Sequence, residues 1–281
     1  MIFRKTLFGG LLATLILTSI EIGESRLNRT SAPMDVTPMR SHIPMIHLRH
    51  GRSTATSTNW SGYAVTGASG SVSDVTASWQ VPAVTCPKSP NQYASFWVGI
   101  DGYSSNTVEQ IGTDSDCQNG VPTYYAWYEF YPHWAYTVNP NSLSVHPGDI
   151  IAAEVSVDAK STFTVTLTNL TSKQSFKTSA KMNNADRSSA EVIVEAPWSG
   201  GVLPLAFFNV ANFGPDYTGV ANSSNVTMKV GGSNVVGSIG SFATNVQIDM
   251  VDKGGAVKAD TSPLSVPDGR SFFIKWVSAG P

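Results

Sequence analysis

The amino-acid sequence predicts an all-β protein built as a large two-sheet antiparallel β-sandwich. From Asn59 onward, short runs rich in β-branched and aromatic residues follow one another, which is the composition of strands. Gly, Pro, Asn and Ser lie between the runs, and no long segment shows the 3.6-residue period of a helix. More than ten short strands at such close spacing are typical of a sandwich.

Thirteen segments have the strand pattern. They are Trp60–Thr66, Val72–Val81, Ala94–Asp101, Thr107–Thr113, Tyr124–Tyr131, Ile150–Asp158, Thr162–Asn169, Ser175–Met182, Ala190–Glu195, Leu205–Val210, Asn225–Val230, Val246–Val251 and Phe272–Val277. Side chains alternate between the two faces of a strand, so the pattern also predicts which residues share a face. In the ninth segment Ala190, Val192 and Val194 face the core. Glu195 therefore faces outward.

The same alternation collects aromatic, amide and carboxylate side chains on one outer face. These residues are Trp97, Asp101, Gln110, Asp114, Trp127, Glu129, Tyr131 and Glu195. Three interpretations of this face remain open at this point. It binds sugars, since aromatic rings stack on pyranose faces; it is a hydrolase site for peptide or glycan; or it is an ordinary solvated sheet face.

The first 25 of the 281 residues have the pattern of a secretory signal peptide. Arg4 and Lys5 precede an apolar run from Leu7 to Ile20, and polar residues follow. The alternative is an uncleaved membrane anchor, but the run is short of the roughly 20 apolar residues that a spanning helix needs. We therefore expect export, a secreted protein, and no membrane contact after the signal peptide is removed.

Residues 26–55 form a second segment, which is basic and contains three prolines and three histidines. It shows no sustained apolar period, so it is predicted to be disordered or loosely structured. A propeptide and a flexible linker are equally compatible with this composition. Residues 56–281 are the predicted sandwich domain.

Charge and cysteine content limit the partners of that domain. Residues 56–281 carry 11 Lys and Arg against 17 Asp and Glu, a net charge of −6, which argues against a nucleic-acid partner. The two cysteines, Cys86 and Cys117, predict one disulfide in an exported chain. Neither a metal nor an organic cofactor is implied.

Several kinds of catalytic machinery are excluded by the absence of their motifs. The sequence has no G-x-S-x-G elbow, no H-E-x-x-H zinc motif and no glycine-rich phosphate loop. The domain has two histidines, His133 and His146, so a Ser-His-Asp triad is poorly supported. A hydrolase built from these residues must transfer protons with carboxylates, which suits an acidic working pH.

An ordered set of motifs resembles the glutamic peptidases (eqolisins), acid endopeptidases first known from fungi and also found in bacteria and archaea. The resemblance covers roughly residues 59–213, and its specificity lies in the order and spacing of the motifs. The motifs are Asn59-Trp60-Ser61-Gly62, Phe96-Trp97-Val98-Gly99-Ile100-Asp101-Gly102, Gln110-Ile111-Gly112-Thr113, Tyr125-Ala126-Trp127-Tyr128-Glu129-Phe130-Tyr131-Pro132, Ala190-Glu191-Val192-Ile193-Val194-Glu195 and Leu205-Ala206-Phe207-Phe208.

The resemblance implies a lectin-like (concanavalin A-like, jelly-roll) sandwich with its cleft on a concave face. It implies that Gln110 and Glu195 are the catalytic dyad of a pepstatin-insensitive acid endopeptidase of the bacterial or archaeal type. Its substrate would be polypeptide, and a monomer is expected. Supporting cleft roles are expected for Trp97, Asp101, Asp114, Trp127, Glu129 and Tyr131. The sequence departs from the family at Val192, which is often aromatic in relatives, and in its disulfide, since the fungal enzymes have more of them in other places.

The chief alternative is a secreted carbohydrate-binding or glycoside-hydrolysing sandwich protein. In a retaining glycosidase, Glu129 and Glu195 would serve as acid and nucleophile, with carboxyl groups about 5–5.5 Å apart. A peptidase instead needs the amide of Gln110 to act together with Glu195. A secreted binding module without catalytic activity is the third possibility.

Overall fold

The computed structural model describes residues 41–51 and 53–280. These residues belong to one compact unit. The predicted signal peptide, residues 1–25, lies outside the described residues, and so does the part of the basic segment from residue 26 to residue 40.

Strands make up nearly all of the regular structure. They are β1 His47–His50, β2 Thr54–Ser57, β3 Trp60–Thr66, β4 Val72–Gln80, β5 Ser95–Ile100, β6 Val108–Gln118, β7 Val121–Tyr131, β8 Tyr136–Thr137, β9 Ile150–Val157, β10 Thr162–Asn169, β11 Gln174–Lys181, β12 Ser189–Glu195, β13 Val210–Phe213, β14 Asn225–Val230, β15 Ser233–Ser238, β16 Asn245–Val251, β17 Val257–Thr261 and β18 Phe272–Trp276. One helical turn, α1, covers Pro215–Thr218, and a 3₁₀ turn covers Ile239–Ser241. No helix among the described residues is long and apolar enough to cross a membrane.

The strands form a continuous, largely antiparallel sheet that folds into two layers. The first layer has the order β2-β16-β3-β12-β5-β6-β7-β8. The second has the order β18-β13-β4-β9-β10-β11, with the β14-β15 hairpin also paired to β4. Strand β17 joins the layers because it pairs with both β16 and β18. The predicted antiparallel sandwich is confirmed.

Alternation along the strands divides the apolar side chains into two clusters, as expected. On β12, Ala190, Val192 and Val194 belong to the main core between the layers. Ile193 points to the opposite face, where it joins a second cluster. We call this second group the cleft-face cluster; it contains Met45, Ala55, Trp60, Ala64, Trp97, Tyr103, Val108, Trp127, Ile193, Val246 and Ile248.

Two predictions about local structure are wrong. Residues 205–210 do not form a strand: Leu205 and Phe207 make isolated bridges, and β13 begins at Val210. The part of the basic segment around residues 41–50 is not loosely structured, because β1 pairs with β2 and the backbone N–H of Met45 donates to the Gly102 carbonyl at 3.0 Å. That order comes from long-range contacts, and a search for local apolar periods cannot detect such contacts.

The predicted disulfide is confirmed. Cys86 and Cys117 are bonded across 31 residues of sequence, with their Cα atoms 5.2 Å apart. The bond ties the connection between β4 and β5 to the end of β6, next to the backbone pairing of Gln92 with Cys117. It therefore stabilises one end of the first layer.

Replacing both cysteines with serine is expected to lower the free energy of unfolding by about 3–4 kcal/mol, because a loop of this length then gains entropy in the unfolded chain. Urea unfolding checks this as a shift of the midpoint. Reductant should lower the midpoint of the wild type and leave the double variant unchanged. Equal midpoints for the oxidised wild type and the variant would contradict the prediction.

Candidate active site

Four adjacent strands of the first layer carry six of the eight predicted site residues in three rows. Across β12, β5 and β6, the first row contains Glu195, Ser95 and Asp114. Across β12, β5, β6 and β7, the middle row contains Ile193, Trp97, Gly112 and Trp127. The third row contains Glu191, Gly99, Gln110 and Glu129 on the same four strands. Residues in these rows share one face of the layer, because they are two apart along each strand. Gln110 and Glu195 therefore project from the same face, two strands apart.

A glycine in the middle row allows an indole to lie close to the sheet. A Cβ atom added to Gly112 would meet the Cβ of Trp97 at 2.6 Å, closer than real side chains approach. Trp97 and Trp127 flank this glycine on the neighbouring strands, and both are fully buried. The motif glycine thus makes room for the aromatic floor on which the site is built.

Glu195 lies at one side of this floor and is held by the indole of Trp97. Trp97 Nε1 donates to its Oε2 at 2.9 Å, and the Trp60 ring packs edge-on against Trp97 with centroids 4.8 Å apart. Burial raises the pKa of the Glu195 carboxyl well above its ordinary value, and the negative charges of Glu129 and Asp114 raise it further. The hydrogen bond from Trp97 opposes this shift.

Gln110 lies on the other side, and its amide is oriented by Glu129. The Gln110 Nε2 group donates to Glu129 Oε2 at 3.0 Å and to the backbone carbonyl of His42 at 2.8 Å. Glu129 Oε2 also accepts the backbone N–H of His42 at 3.2 Å. Burial raises the pKa of Glu129 well above its ordinary value, and the hydrogen bonds that it accepts from His42 and Gln110 offset part of the effect.

His42 connects the two halves of the site. Its imidazole stacks on Trp127 with ring centroids 3.5 Å apart and planes 4° from parallel. Its Nδ1 lies 3.6 Å from Glu195 Oε2, while its backbone contacts Gln110 and Glu129. A residue of the basic segment therefore occupies the space between the predicted dyad groups.

Two further predicted residues lie at the edges of this arrangement. Asp114 is fully buried, and its Oδ2 accepts the Tyr125 hydroxyl at 2.8 Å; the same hydroxyl lies 2.9 Å from Asp116 Oδ2. Tyr131 is partly buried and packs against the cleft-face cluster. Both therefore lie on the predicted face, next to the groups that surround Glu195 and Gln110.

Asp101 makes a different kind of contact. It follows β5 with φ at 74°, in the left-handed region, and its carboxylate accepts the backbone N–H groups of Arg187 at 2.6 Å and Ser188 at 2.9 Å. These bonds fix the connection between β11 and β12 at the end of the site. The described contacts of Asp101 are with this loop and not with the dyad groups.

Three site residues were missed by the sequence reasoning. Trp60 belongs to the motif Asn59-Trp60-Ser61-Gly62, so its packing against Trp97 at the site could have been suspected. Tyr125 shares the outer face with Trp127 by alternation, which was a usable signal. No sequence signal marked His42, because it lies in a segment without an apolar period. Its contacts are with residues 68 and 87 positions away.

The chain matches known peptidases in sequence. Residues 58–255 match the model of the Peptidase A4 family. Aspergillopepsin-2 of Aspergillus niger is 31% identical over 228 residues, which cover 73% of this chain and 74% of that protein. Scytalidopepsin B of Scytalidium lignicola is 33% identical over 143 residues, 49% of this chain and 51% of that protein.

Solved structures agree with this assignment. A crystal structure of scytalido-glutamic peptidase with a transition state analog inhibitor superposes with a TM-score of 0.61 at 23% identity, covering 78% of this chain and 98% of that one. Aspergilloglutamic peptidase from Aspergillus niger gives 0.51 at 33% identity, covering 66% and 99%. Sequence and fold thus place the protein among the peptidases. The chain belongs to the Peptidase A4 family and is a glutamic endopeptidase.

Proposed function

We propose that the protein is a secreted acid endopeptidase that hydrolyses peptide bonds with a dyad of Gln110 and Glu195. One observation carries the proposal: both side chains converge on a single amino-acid residue. Gln110 donates to the backbone carbonyl of His42, and the Glu195 carboxylate lies beside the same residue. A polypeptide substrate bound in this position would have a carbonyl oxygen on the amide and a carboxylate nearby.

The reaction follows from the chemistry of the two groups. In an open cleft, where His42 does not cover it, Glu195 loses part of the burial that raises its pKa, and the ionised form is favoured relative to the covered state. Ionised Glu195 takes a proton from a water molecule, and the resulting hydroxide attacks the scissile carbonyl carbon. The Nε2–H group of Gln110 donates to the oxygen as negative charge develops on it. Protonated Glu195 then transfers its proton to the leaving nitrogen, which breaks the carbon–nitrogen bond.

Neighbouring residues prepare the two groups for these steps. Glu129 accepts one N–H of the Gln110 amide, which directs the Nε2 end toward the bound carbonyl. Trp97 holds Oε2 of Glu195. An amide donor does not titrate, so it still works in acid, where histidine would be protonated and unable to act as a base.

The remaining features of the proposal rest on the sequence. The signal-peptide pattern in residues 1–25 and the disulfide support secretion. A net charge of −6 for residues 56–281 supports a function without nucleic acid. We also propose a monomer that uses no cofactor. The bacterial or archaeal type stays a prediction from the sequence resemblance.

The glycosidase alternative is weaker. It needs two carboxyl groups with separate roles, whereas Glu129 is buried and is bound by the Gln110 amide and by a backbone N–H. The family match is to peptidases. The amide that a glycosidase does not require lies at the centre of the site.

Changing Gln110 to alanine tests the proposed function. The wild-type protein should digest denatured casein at acidic pH with pepstatin present. The Gln110→Ala variant should lose about 10²–10³-fold in kcat, because one oxyanion donor is removed. Gln118→Ala, an exposed glutamine at the end of the same strand, is the matched control and should retain wild-type rates. If Gln110→Ala turns over casein at a rate near that of the wild type, the dyad assignment is wrong.

A further inference from the structure

The candidate active site is covered by the protein's own chain. Residues 41–46 cross the cleft face, with His42 on the dyad and Met45 in the cleft-face cluster. The side chains of Gln110, Glu129 and Glu195 have no exposed surface in this arrangement. A polypeptide from solution therefore cannot reach the dyad while this segment is in place.

Both ends of the covering segment are tied to the domain. Ser41 pairs with Trp198 through two backbone hydrogen bonds, of 3.1 and 2.9 Å. On the other side, Asn59 Oδ1 accepts the backbone N–H of Ile46 at 2.8 Å, and Asn59 Nδ2 lies 3.4 Å from the carbonyls of Ile43 and Pro44. The segment is thus held extended across the site from both directions.

The segment is bound at its backbone as the proposed mechanism requires of a substrate. The carbonyl oxygen of His42 takes the Gln110 Nε2–H at 2.8 Å, which is the contact proposed for the scissile carbonyl. The N–H of the same residue is held by Glu129, and its ring lies on Trp127 and beside Glu195. The carbonyl of His42 is therefore the one that the proposed oxyanion donor binds, and Glu195 lies beside the same residue.

We propose that the peptide bond between His42 and Ile43 is the protein's own processing site, cut by its own dyad. The inference rests on the proposed function and extends it to a particular bond. Water adds its oxygen to the carbonyl carbon of His42, the bond to the nitrogen of Ile43 breaks, and Glu195 passes the proton taken from water to that nitrogen. The products are a carboxyl group on His42 and an amino group on Ile43.

The contacts on each side of the bond explain what cleavage achieves. Residues 43–46 keep their ties to Asn59 and Gly102, and β1 keeps its pairing with β2, so the new N-terminus stays with the domain. His42 becomes the end of a released peptide and is free to leave Trp127, Gln110 and Glu195. Cleavage therefore opens the site, and the mature domain begins at residue 43 and not near residue 56.

The test uses the full chain at acidic pH, followed by N-terminal sequencing and intact mass. We expect a new terminus at Ile43, formed at a first-order rate that does not depend on protein concentration, because the bond already lies in its own cleft. Casein digestion should rise in step with this product. A first new terminus elsewhere, or a rate proportional to concentration, overturns the proposal.

Two variants test the bond after His42 while leaving Gln110 and Glu195 unchanged. Ile43→Pro replaces the leaving N–H with a tertiary amide and restricts the residue before it, so the bond should stay intact and the casein activity should stay latent. Arg49→Ala, at an exposed position of β1, is the control and should process like the wild type. If Ile43→Pro becomes active as fast as the wild type, the processing site is wrong.

The outcomes separate this inference from the proposed function. If the wild type digests casein while the bond after His42 stays intact, the processing site is overturned and the peptidase function stands. If neither casein nor the protein's own chain is cut at acidic pH, both are overturned.

Discussion

Replacing Glu195 with glutamine should leave a folded protein that has lost peptide hydrolysis, with turnover lower by about 10²–10⁴-fold or more. Glutamine has the same shape and can still accept the hydrogen bond from Trp97 Nε1. It cannot take a proton from water, so neither the attack nor the protonation of the leaving nitrogen is assisted. The fold should tolerate the change, because burial already favours the uncharged form of this side chain.

Casein hydrolysis at acidic pH, measured beside thermal unfolding of the same samples, checks this expectation. Glu154→Gln is the matched control, since Glu154 is an exposed carboxylate on β9 of the second layer. It should keep wild-type activity. A Glu195→Gln variant that digests casein at the wild-type rate would rule out Glu195 as the base.

The folded protein should be more stable in acid than at slightly alkaline pH. A group of carboxyls is buried within the first layer, and burial is the first cause of each shift: it raises the pKa of Glu109 to about 9 and the pKa of Glu191 well above its ordinary value. The charge of Asp101 raises the pKa of both groups further. The pKa values of Glu129 and Glu195 are raised in the same way.

The sign of the effect follows from proton binding. In the unfolded chain Glu109 titrates near its ordinary pKa of 4.5, so between that pH and about 9 the folded state holds a proton that the unfolded state has lost. Stability is therefore fully present below about pH 4.5 and falls as the pH rises toward 9. Each pH unit within this window removes about 1.4 kcal/mol per proton held, so the total loss is of the order of several kcal/mol.

Thermal unfolding measures this dependence, and the inactive Glu195→Gln variant avoids self-digestion. The midpoint should fall between about pH 4 and pH 8, and Glu109→Gln should flatten the slope because its side chain no longer titrates. Lys258 has little effect on this measurement. Burial lowers its pKa to about 8, so the folded and unfolded states differ in their protonation of Lys258 mainly above this pH range. A midpoint that rises with pH from 4 to 8 would contradict the prediction.

Much of the first layer could be predicted because its signals are local. The two-residue period of β5 and β12 sorts Trp97 and Glu195 onto one face and Val192 and Val194 onto the other, whichever strands lie beside them. The order of the motifs then indicated the dyad and the peptidase class. Two cysteines behind a signal-peptide pattern were enough to predict the disulfide.

Other features could not be predicted from local sequence patterns. The strands β1, β2 and β8 escaped prediction because they have four residues or fewer. The strands β15 and β17 were also missed; in β15 the side chains from Ser233 to Val236 are exposed, so no apolar alternation marks it. Asp101 was placed on the outer face by extending the period of β5. The chain leaves that strand with a positive φ, and the carboxylate turns to the loop at Arg187 and Ser188.

By itself the sequence determined the all-β class, the faces of the long strands, the disulfide and the pair of residues on which the catalytic proposal rests. Tertiary structure alone decided that Gln110 and Glu195 meet across His42, and that a basic segment with no period of its own closes the cleft. The physical reason is the range of the interactions. Alternation and turn chemistry act within a few residues, whereas the position of His42 depends on contacts with Glu129, Trp127 and Glu195, which folding brings to it from distant parts of the chain.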